Sequence, residues 1–142
     1  IVYGLIERKI KVIYVANRTY EKAVALRDRF GGVVKPSHWS DIPSLLKNAK
    51  LLVNSTSLGM IGQPELVIDL SPLNPHAIVS DIIYVPLKTP LLVAAEKRGL
   101  KTSNGLDMLL YQAVRGFELW FGIRPEVTSE LFDLLAADIP RT

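Results

Sequence analysis

The sequence predicts one α/β domain with a doubly wound parallel sheet, in which helices cover both faces of the strands. Short apolar runs suited to buried strands alternate along the chain with helical patterns of about ten residues. Glycine, proline and polar residues mark the ends of these segments, and the 142 residues contain neither an internal repeat nor a dividing linker. This alternation is typical of parallel sheets, because each crossover between neighbouring parallel strands needs a long connection, usually a helix.

The first half of the chain is predicted to alternate helices with strands. Short, mostly apolar runs that are typical of buried parallel strands cover residues 11–16, 33–35 and 51–53. Thr19 is expected to cap a helix that ends at Phe30 before two glycines, and Ser40 or Asp41 to cap the next one. The three helices of this half are predicted over residues 1–10, 20–30 and 42–49.

The second half begins with a loop, because residues 61–77 are rich in glycine, proline and asparagine. Strands are predicted over residues 78–83 and 100–103. Thr89 and Pro90 suit the N-cap and the first position of a helix that Gly99 closes, and two more helices follow over 106–121 and 126–137. In the first of these two, helical spacing predicts a continuous buried stripe made of Leu106, Leu109, Leu110, Ala113, Phe117, Trp120 and Phe121.

The composition excludes several classes of protein and site. There is no cysteine, so disulfide scaffolds, thiolate nucleophiles and thiolate-ligated metals are excluded. His38 and His76 lie far apart without a carboxylate cluster, so no metal site is expected. The 17 basic and 14 acidic residues are too dispersed for a nucleic-acid interface, and no apolar run is long enough to cross a membrane. We therefore expect a soluble cytoplasmic protein.

Asn17, Arg18 and Thr19 stand at the carboxyl end of the first predicted strand. In parallel sheets that bind dinucleotides, the adenosine ribose is recognised at this place, and a carboxylate there selects the 2′-hydroxyl of NAD. Arg18, with Lys22 one helical turn later, is suited instead to bind a phosphate, assisted by the helix N-terminus at Thr19. The site is therefore either a reader of the 2′-phosphate of NADP or an ordinary turn with solvated basic side chains.

The position of Arg18 in the sequence predicts where the phosphate loop of such a sheet should lie. The glycine-rich phosphate loop of such sheets precedes the ribose reader by about 20 residues, which places it just before Ile1. The chain also opens inside a predicted helix, without an initiator methionine, a capping residue or a signal peptide. We therefore expect a fragment that is truncated at its N-terminus and lacks this loop.

Three further motifs lie at the ends of strands or at the start of a helix. Asn54–Met60 combines short hydroxyl side chains with a glycine, which suits either the close approach of a cofactor or a polar turn. Tyr84, within Asp81–Pro86, is placed either to donate its hydroxyl to a ligand or to lie at the rim of the core. Met108 faces away from the apolar stripe and Gln112 lies off its centre, so either a nicotinamide ring or another part of the protein would cover Met108.

Together these motifs resemble the shikimate dehydrogenase family over essentially the whole chain. The similar segments, in matching order and spacing, are ANRTYEKA (Ala16–Ala23), NSTSLGM (Asn54–Met60), DIIYVPLKTPLL (Asp81–Leu92) and GLDMLLYQA (Gly105–Ala113). The resemblance is to the C-terminal, cofactor-binding domain of that family. It implies one Rossmann-like NADP-binding domain over residues 1–142, with three α/β/α layers.

The resemblance also implies roles for individual residues. Those expected to bind NADP are Asn17, Arg18, Thr19, Lys22, Thr56, Ser57, Ile82, Gly105 and Met108. The first four would hold the 2′-phosphate end, Thr56 and Ser57 would line the path of the cofactor, and the last three would pack near the nicotinamide. Tyr84 and Gln112 would hydrogen-bond the substrate. Ile82 stands where the family often has methionine, and Asp107 where it often has glycine.

The reaction implied by the resemblance is the NADPH-dependent reduction of 3-dehydroshikimate to shikimate, in aromatic amino-acid biosynthesis. The catalytic Lys and Asp of the family lie in an N-terminal substrate domain, so no catalytic residue is assigned here, and neither Lys88 nor Asp81 is expected to replace them. We expect the 142-residue chain alone to be an inactive part of this oxidoreductase. The expected partner is the small-molecule substrate, with the whole protein a monomer or a homodimer.

Two alternatives remain for the function. One is a quinate/shikimate dehydrogenase paralogue that uses NAD or NADP, and the other is a regulatory domain that binds NADP without chemistry. The lack of an acidic residue in Asn17–Thr19 favours NADP. Tyr84 and Gln112 argue against a regulatory domain, which has no need of substrate contacts.

Overall fold

A computed structural model describes residues 1–140 of the chain, and these form two compact units. The first unit covers residues 1–48 and the second begins at Ala49. The first contains a pair of parallel strands and the second contains three parallel strands, each set accompanied by helices. The predicted α/β class with parallel strands is therefore confirmed.

The first unit is built from two strands and three helices. In chain order these are α1 (Val2–Glu7), β1 (Ile13–Ala16), α2 (Tyr20–Phe30), β2 (Val34–Ser37) and α3 (Ile42–Leu46), with a 3₁₀ turn at Trp39–Asp41 ahead of α3. β1 and β2 pair in parallel, with Ile13 opposite Val34 and Ala16 opposite Ser37. The carboxyl ends of both strands therefore lie side by side at one edge of this sheet.

Two helices of the first unit are shorter than the sequence predicts. The first does not extend over residues 1–10, because Lys9 has a φ of 59° and the chain turns back there instead of continuing the right-handed helix. The third was expected over residues 42–49 but covers only Ile42–Leu46. The Asp41 carboxylate accepts a hydrogen bond from the main-chain N–H of His38 at 3.0 Å, so it stabilises the preceding turn rather than capping α3.

The second unit consists of β3 (Leu51–Asn54), β4 (Ile78–Asp81), α4 (Pro90–Lys97), β5 (Lys101–Ser103), α5 (Gly105–Phe121) and α6 (Ser129–Asp138). The three strands are parallel in the order β3-β4-β5, with Asn54 opposite Asp81 and Ser80 opposite Ser103. As predicted, residues 61–77 form neither a helix nor a strand. The core of this unit includes Leu73, Val79, Ala95 and Leu106, each exposed by no more than 2%.

Capping side chains set the starts of the helices in the second unit. Thr89 Oγ1 accepts from the N–H of Leu92 at 3.4 Å, and Asn104 Oδ1 accepts from the N–H of Leu106 at 3.1 Å. Thr128 Oγ1 accepts from the N–H of Leu131 at 3.3 Å. The prediction that the last helix begins at residue 126 is therefore wrong by three residues, because the chain is still extended at Thr128 and the helix starts after this cap.

The predicted core stripe of α5 is wrong in its second half. Leu106, Leu110 and Val114 are buried, but the stripe was expected to continue through residues that are exposed, namely Ala113, Phe117, Trp120 and Phe121. The three strands of this unit span at most four residues, or about 13 Å, whereas α5 has 17 residues and is about 25 Å long. The second half of α5 therefore extends beyond the core of its unit.

Among residues 1–140, no helix is both long and apolar enough to cross a membrane.

Candidate functional site

Asn17, Arg18 and Thr19 follow the carboxyl end of β1, as the sequence predicts. Asn17 Oδ1 accepts a hydrogen bond from the N–H of Thr19 at 2.9 Å, which closes a tight turn between the strand and α2. The Thr19 side chain occupies the N-cap position of α2 without making a capping hydrogen bond. Arg18 and Lys22 are exposed, and within residues 1–140 neither forms an ion pair. Two cations are therefore available to a ligand beside the N-terminus of α2.

His38 lies beside this turn, although the sequence analysis assigned it no role. Its ring stacks on that of Tyr20, the first residue of α2, with the centroids 4.1 Å apart and the planes inclined by 12°. The stack forms because His38 follows β2 and β2 pairs with β1, so both residues come to the same edge of the sheet. No local pattern signals this, because the pairing joins segments that are about 20 residues apart.

A pocket of about 390 Å³ lies at the carboxyl ends of β3 and β4. It is lined by Ser55, Thr56, Ser57, Met60, Ile82, Ile83, Tyr84 and Val85. Four of the predicted site residues therefore meet in one cavity, two from the loop after β3 and two from the loop after β4. One wall carries hydroxyl groups and the other is mainly apolar, and the volume is within the range of small-molecule sites.

The hydroxyl wall is shaped by Asn54, which ends β3 and is buried. Its Oδ1 accepts from the N–H and the hydroxyl of Thr56, at 3.0 and 2.8 Å, and its Nδ2 donates to Leu58 O at 3.0 Å. Thr56 Oγ1 in turn accepts from the N–H of Leu58 at 3.1 Å. The Thr56 hydroxyl is thus used within the loop, whereas Ser55 and Ser57 are exposed and line the pocket. Ser55 was not among the predicted site residues.

The apolar wall presents Ile82 and Tyr84. The Ile82 N–H donates to Asn54 O at 3.1 Å, and the N–H of Ile61 donates to Val85 O at 3.3 Å, so main-chain bonds join the two loops. Tyr84 is 39% exposed. This exposure is compatible with both predicted roles, a donor to a ligand and a side chain at the rim of the core, so the donor role stays a prediction.

Gly105, Met108 and Gln112 lie on α5. Gly105 is buried, and its N–H donates to Ile83 O at 2.9 Å, so it contacts the segment that forms the apolar wall. Met108 is 40% exposed and Gln112 is exposed too, and they lie one turn apart on the same side of the helix. The prediction that Met108 faces away from the buried stripe is confirmed. Neither residue lines the pocket.

Two ionisable side chains of the Asp81–Leu92 segment, Asp81 and Lys88, already have polar partners within the protein. Asp81 is 1% exposed and hydrogen-bonded, and Lys88 pairs with Glu96 at 2.9 Å on the surface. Within the described part of the chain, no group of three or more His, Asp or Glu side chains could hold a metal ion.

Two family models match the chain. The one described as shikimate / quinate 5-dehydrogenase matches residues 1–87, and the one described as shikimate 5′-dehydrogenase C-terminal domain matches residues 105–128. Among curated proteins, the shikimate dehydrogenase (NADP(+)) of Rhodopseudomonas palustris (strain TIE-1) is 61% identical over 139 residues, which is 98% of this chain and 50% of that protein. The one from Chelativorans sp. (strain BNC1) is 54% identical over the same shares of both chains.

Solved structures show the same relationship. Quinate dehydrogenase from Corynebacterium glutamicum in complex with NAD has a TM-score of 0.84 and 30% identity, and the match covers 95% of this chain and 49% of that one. Shikimate 5-dehydrogenase from Thermus thermophilus in complex with NADP(H) and shikimate has a TM-score of 0.78 and 30% identity. That match covers 96% of this chain and 49% of the other. This likeness confirms the Rossmann-like fold.

The chain spans about half the length of the curated relatives it matches. The family model for shikimate / quinate 5-dehydrogenase matches residues 1–87, which is more than half of the chain. The chain therefore belongs to the shikimate/quinate 5-dehydrogenase family.

Proposed function

We propose that the whole protein is an NADP-dependent shikimate dehydrogenase, which reduces 3-dehydroshikimate to shikimate in aromatic amino-acid biosynthesis. Residues 1–142 are its Rossmann-like NADP-binding domain. The observation that carries this proposal is the turn after β1, where Arg18 and Lys22 are exposed and without ion-pair partners among the described residues. No carboxylate stands in Asn17–Thr19 to repel a 2′-phosphate. The names of the curated relatives, shikimate dehydrogenase (NADP(+)), support the same cofactor.

The residues of this chain fit an NADP molecule at two places. Arg18 and Lys22 bind the 2′-phosphate, because a guanidinium donates two parallel hydrogen bonds to phosphate oxygens. Ser57 and Ile82 both line the pocket, whose volume of about 390 Å³ exceeds that of an aromatic ring. When bound, the nicotinamide supplies the hydride, and the protein supplies binding and orientation.

Tyr84 and Gln112 orient the substrate. The hydroxyl of Tyr84, an exposed residue, donates a hydrogen bond to a hydroxyl or a carboxylate of shikimate, and Gln112 adds an amide from the exposed side of α5. Asp81 takes no part in proton transfer, because its carboxylate is buried and already accepts hydrogen bonds from three residues. The proton-transferring Lys and Asp of the family are assigned to no residue of this chain.

A second candidate is a quinate dehydrogenase that uses NAD. The likeness to the Corynebacterium glutamicum quinate dehydrogenase, at a TM-score of 0.84, favours it. The two candidates differ at Arg18, because NAD lacks the 2′-phosphate that this side chain would bind. We further propose a cytoplasmic location, since cofactor and substrate are small water-soluble molecules, and that the whole protein is a monomer or a homodimer.

The test is turnover by the whole protein with each cofactor and each substrate. We expect kcat/KM for shikimate with NADP⁺ to exceed that with NAD⁺, and turnover of quinate to be slower than that of shikimate. Equal rates with both cofactors would contradict the NADP assignment, and faster turnover of quinate with NAD⁺ would establish the second candidate. Binding of NADP⁺ without any turnover of either substrate would instead identify a regulatory protein.

A further inference from the structure

Asp81 is the one buried ionisable side chain among residues 1–140. A buried carboxylate is costly unless hydrogen bonds compensate the lost hydration. Asn54 Nδ2 donates to both of its oxygens at 3.1 Å, the N–H of Ile83 donates to Oδ1 at 3.1 Å, and Thr89 Oγ1 donates to Oδ2 at 2.8 Å. Within the described residues no Lys or Arg pairs with it, so uncharged donors alone stabilise this anion.

The donors come from segments that build different parts of the pocket. Asn54 starts the loop of the hydroxyl wall and also holds Thr56 and Leu58. Ile83 belongs to the apolar wall, next to Tyr84. Thr89 is the N-cap of α4 and is fully buried. The Asp81 carboxylate therefore joins both walls of the pocket to the start of α4.

The charge of the Asp81 carboxylate strengthens these hydrogen bonds, in addition to the fit of its shape. Hydrogen bonds to an ionised acceptor are roughly twice as strong as neutral ones. An asparagine in place of Asp81 keeps the shape but offers one acceptor oxygen instead of two. In place of Oδ1, its NH₂ group would face two donors, Asn54 Nδ2 and the N–H of Ile83. In place of Oδ2, it would face Asn54 Nδ2 and the Thr89 hydroxyl, whose oxygen already accepts from Leu92.

We propose that Asp81 is a positioning residue, whose negative charge holds the two walls of the pocket at the separation that bound cofactor and substrate require. This inference rests on the proposed function for the identity of the two ligands. It goes beyond that function because Asp81 touches neither ligand and acts through Asn54, Ile83 and Thr89.

The test compares Asp81→Asn with Asp69→Asn in the whole protein. Asp69 is a matched control, because its carboxylate likewise accepts from an N–H two residues later and from a hydroxyl, those of Ser71, at 2.8 and 2.7 Å. It is exposed and does not line the pocket. Because Asp81→Asn could fail to fold, Thr89→Val removes one donor without changing the shape of the side chain, and Thr89→Ser retains the hydroxyl.

For folded enzyme, we expect Asp81→Asn and Thr89→Val to raise KM for both NADP⁺ and shikimate about tenfold, the loss of about one charge-assisted hydrogen bond. Asp69→Asn and Thr89→Ser should stay within about twofold of the wild type. A merely structural role would lower the folded fraction, and with it the apparent kcat, and leave both KM values unchanged. That result would overturn the proposal.

Amide hydrogen exchange separates this inference from the proposed function, because it needs no ligand. Asp81→Asn should speed exchange at the amides of Thr56 and Ile83 and leave β5 unchanged. Equal acceleration throughout β3, β4 and β5, or none at Thr56 and Ile83, would refute the positioning role even if the wild type proved inactive. Wild-type inactivity with local exchange as expected would refute only the proposed function.

Discussion

Gly105 lies so close to Ile82 that position 105 has no room for a β-carbon, which would overlap the Ile82 carbonyl oxygen. The N–H of Gly105 also donates to Ile83 O at 2.9 Å. Glycine is required here because a side chain would not fit, and not because of its backbone conformation, since its φ lies outside the left-handed region. This contact joins the first turn of α5 directly to the apolar wall of the pocket.

We therefore expect Gly105→Ala to displace either α5 or the Ile82–Tyr84 segment. Forcing an extra carbon into a packed site costs about 1–3 kcal/mol or more in the free energy of unfolding, and denaturant unfolding measures it. Gly116→Ala is the matched control on the same helix, because the added carbon finds only ordinary contacts with Trp120. Alanine there should stabilise the helix by about 0.5–1 kcal/mol. Equal stability of the wild type and Gly105→Ala would disprove the close contact.

Arg18→Ala should weaken NADP⁺ far more than NAD⁺. A hydrogen bond to a charged group is worth about 1.5–3 kcal/mol, which corresponds to roughly ten- to a hundredfold in the Kd for NADP⁺. Titration of each cofactor by calorimetry measures the effect. Arg29→Ala is the control, because Arg29 lies at the other end of α2 and should change neither Kd. An equal loss for both cofactors would show that Arg18 has a structural role only.

The two threonine N-caps should differ in their contribution to stability. Thr128 Oγ1 accepts a capping hydrogen bond at the start of α6, whereas the Thr19 side chain makes none at the start of α2. Thr128→Ala should therefore lower the free energy of unfolding by about 1 kcal/mol, and Thr19→Ala by only a few tenths. Thermal unfolding of the two variants tests this, and a larger loss at Thr19 than at Thr128 would contradict the assignment of the caps.

Glu118 should contribute to stability in a way that depends on pH. A hydrogen bond from Arg115, at 2.9 Å, and the charge of Arg124 hold the pKa of Glu118 below its ordinary value of 4.5. The contribution is therefore fully present above that value and is lost as the pH falls through the lower pKa of the folded state. Glu118→Gln should be less stable than the wild type at neutral pH, and the difference in Tm should vanish in acid. A constant difference from pH 7 to pH 3 would show that the charge is irrelevant.

Most of the candidate site could be predicted from the sequence because its residues stand directly after strands. The apolar runs that end at Ala16, Asn54 and Asp81 place the following polar residues at the carboxyl edge of a sheet, where ligands bind in this class of fold. Ser55 and His38 were not predicted. Ser55 resembles any other serine in a polar turn, and His38 approaches Tyr20 only through the pairing of β1 with β2.

Residues a few positions apart were enough to predict the order of helices and strands, the N-cap at Thr89 and the motifs of the family, whereas the caps at Asn104 and Thr128 were not predicted. Contacts between segments that are distant in the sequence depend instead on the tertiary structure. Asn54 and Asp81 meet only because β3 and β4 pair in register, and Trp120, an expected core residue, is 80% exposed because the core ends before α5 does. Local periodicity indicates which side of a helix is apolar, but the length of the packed sheet determines how much of that side is buried.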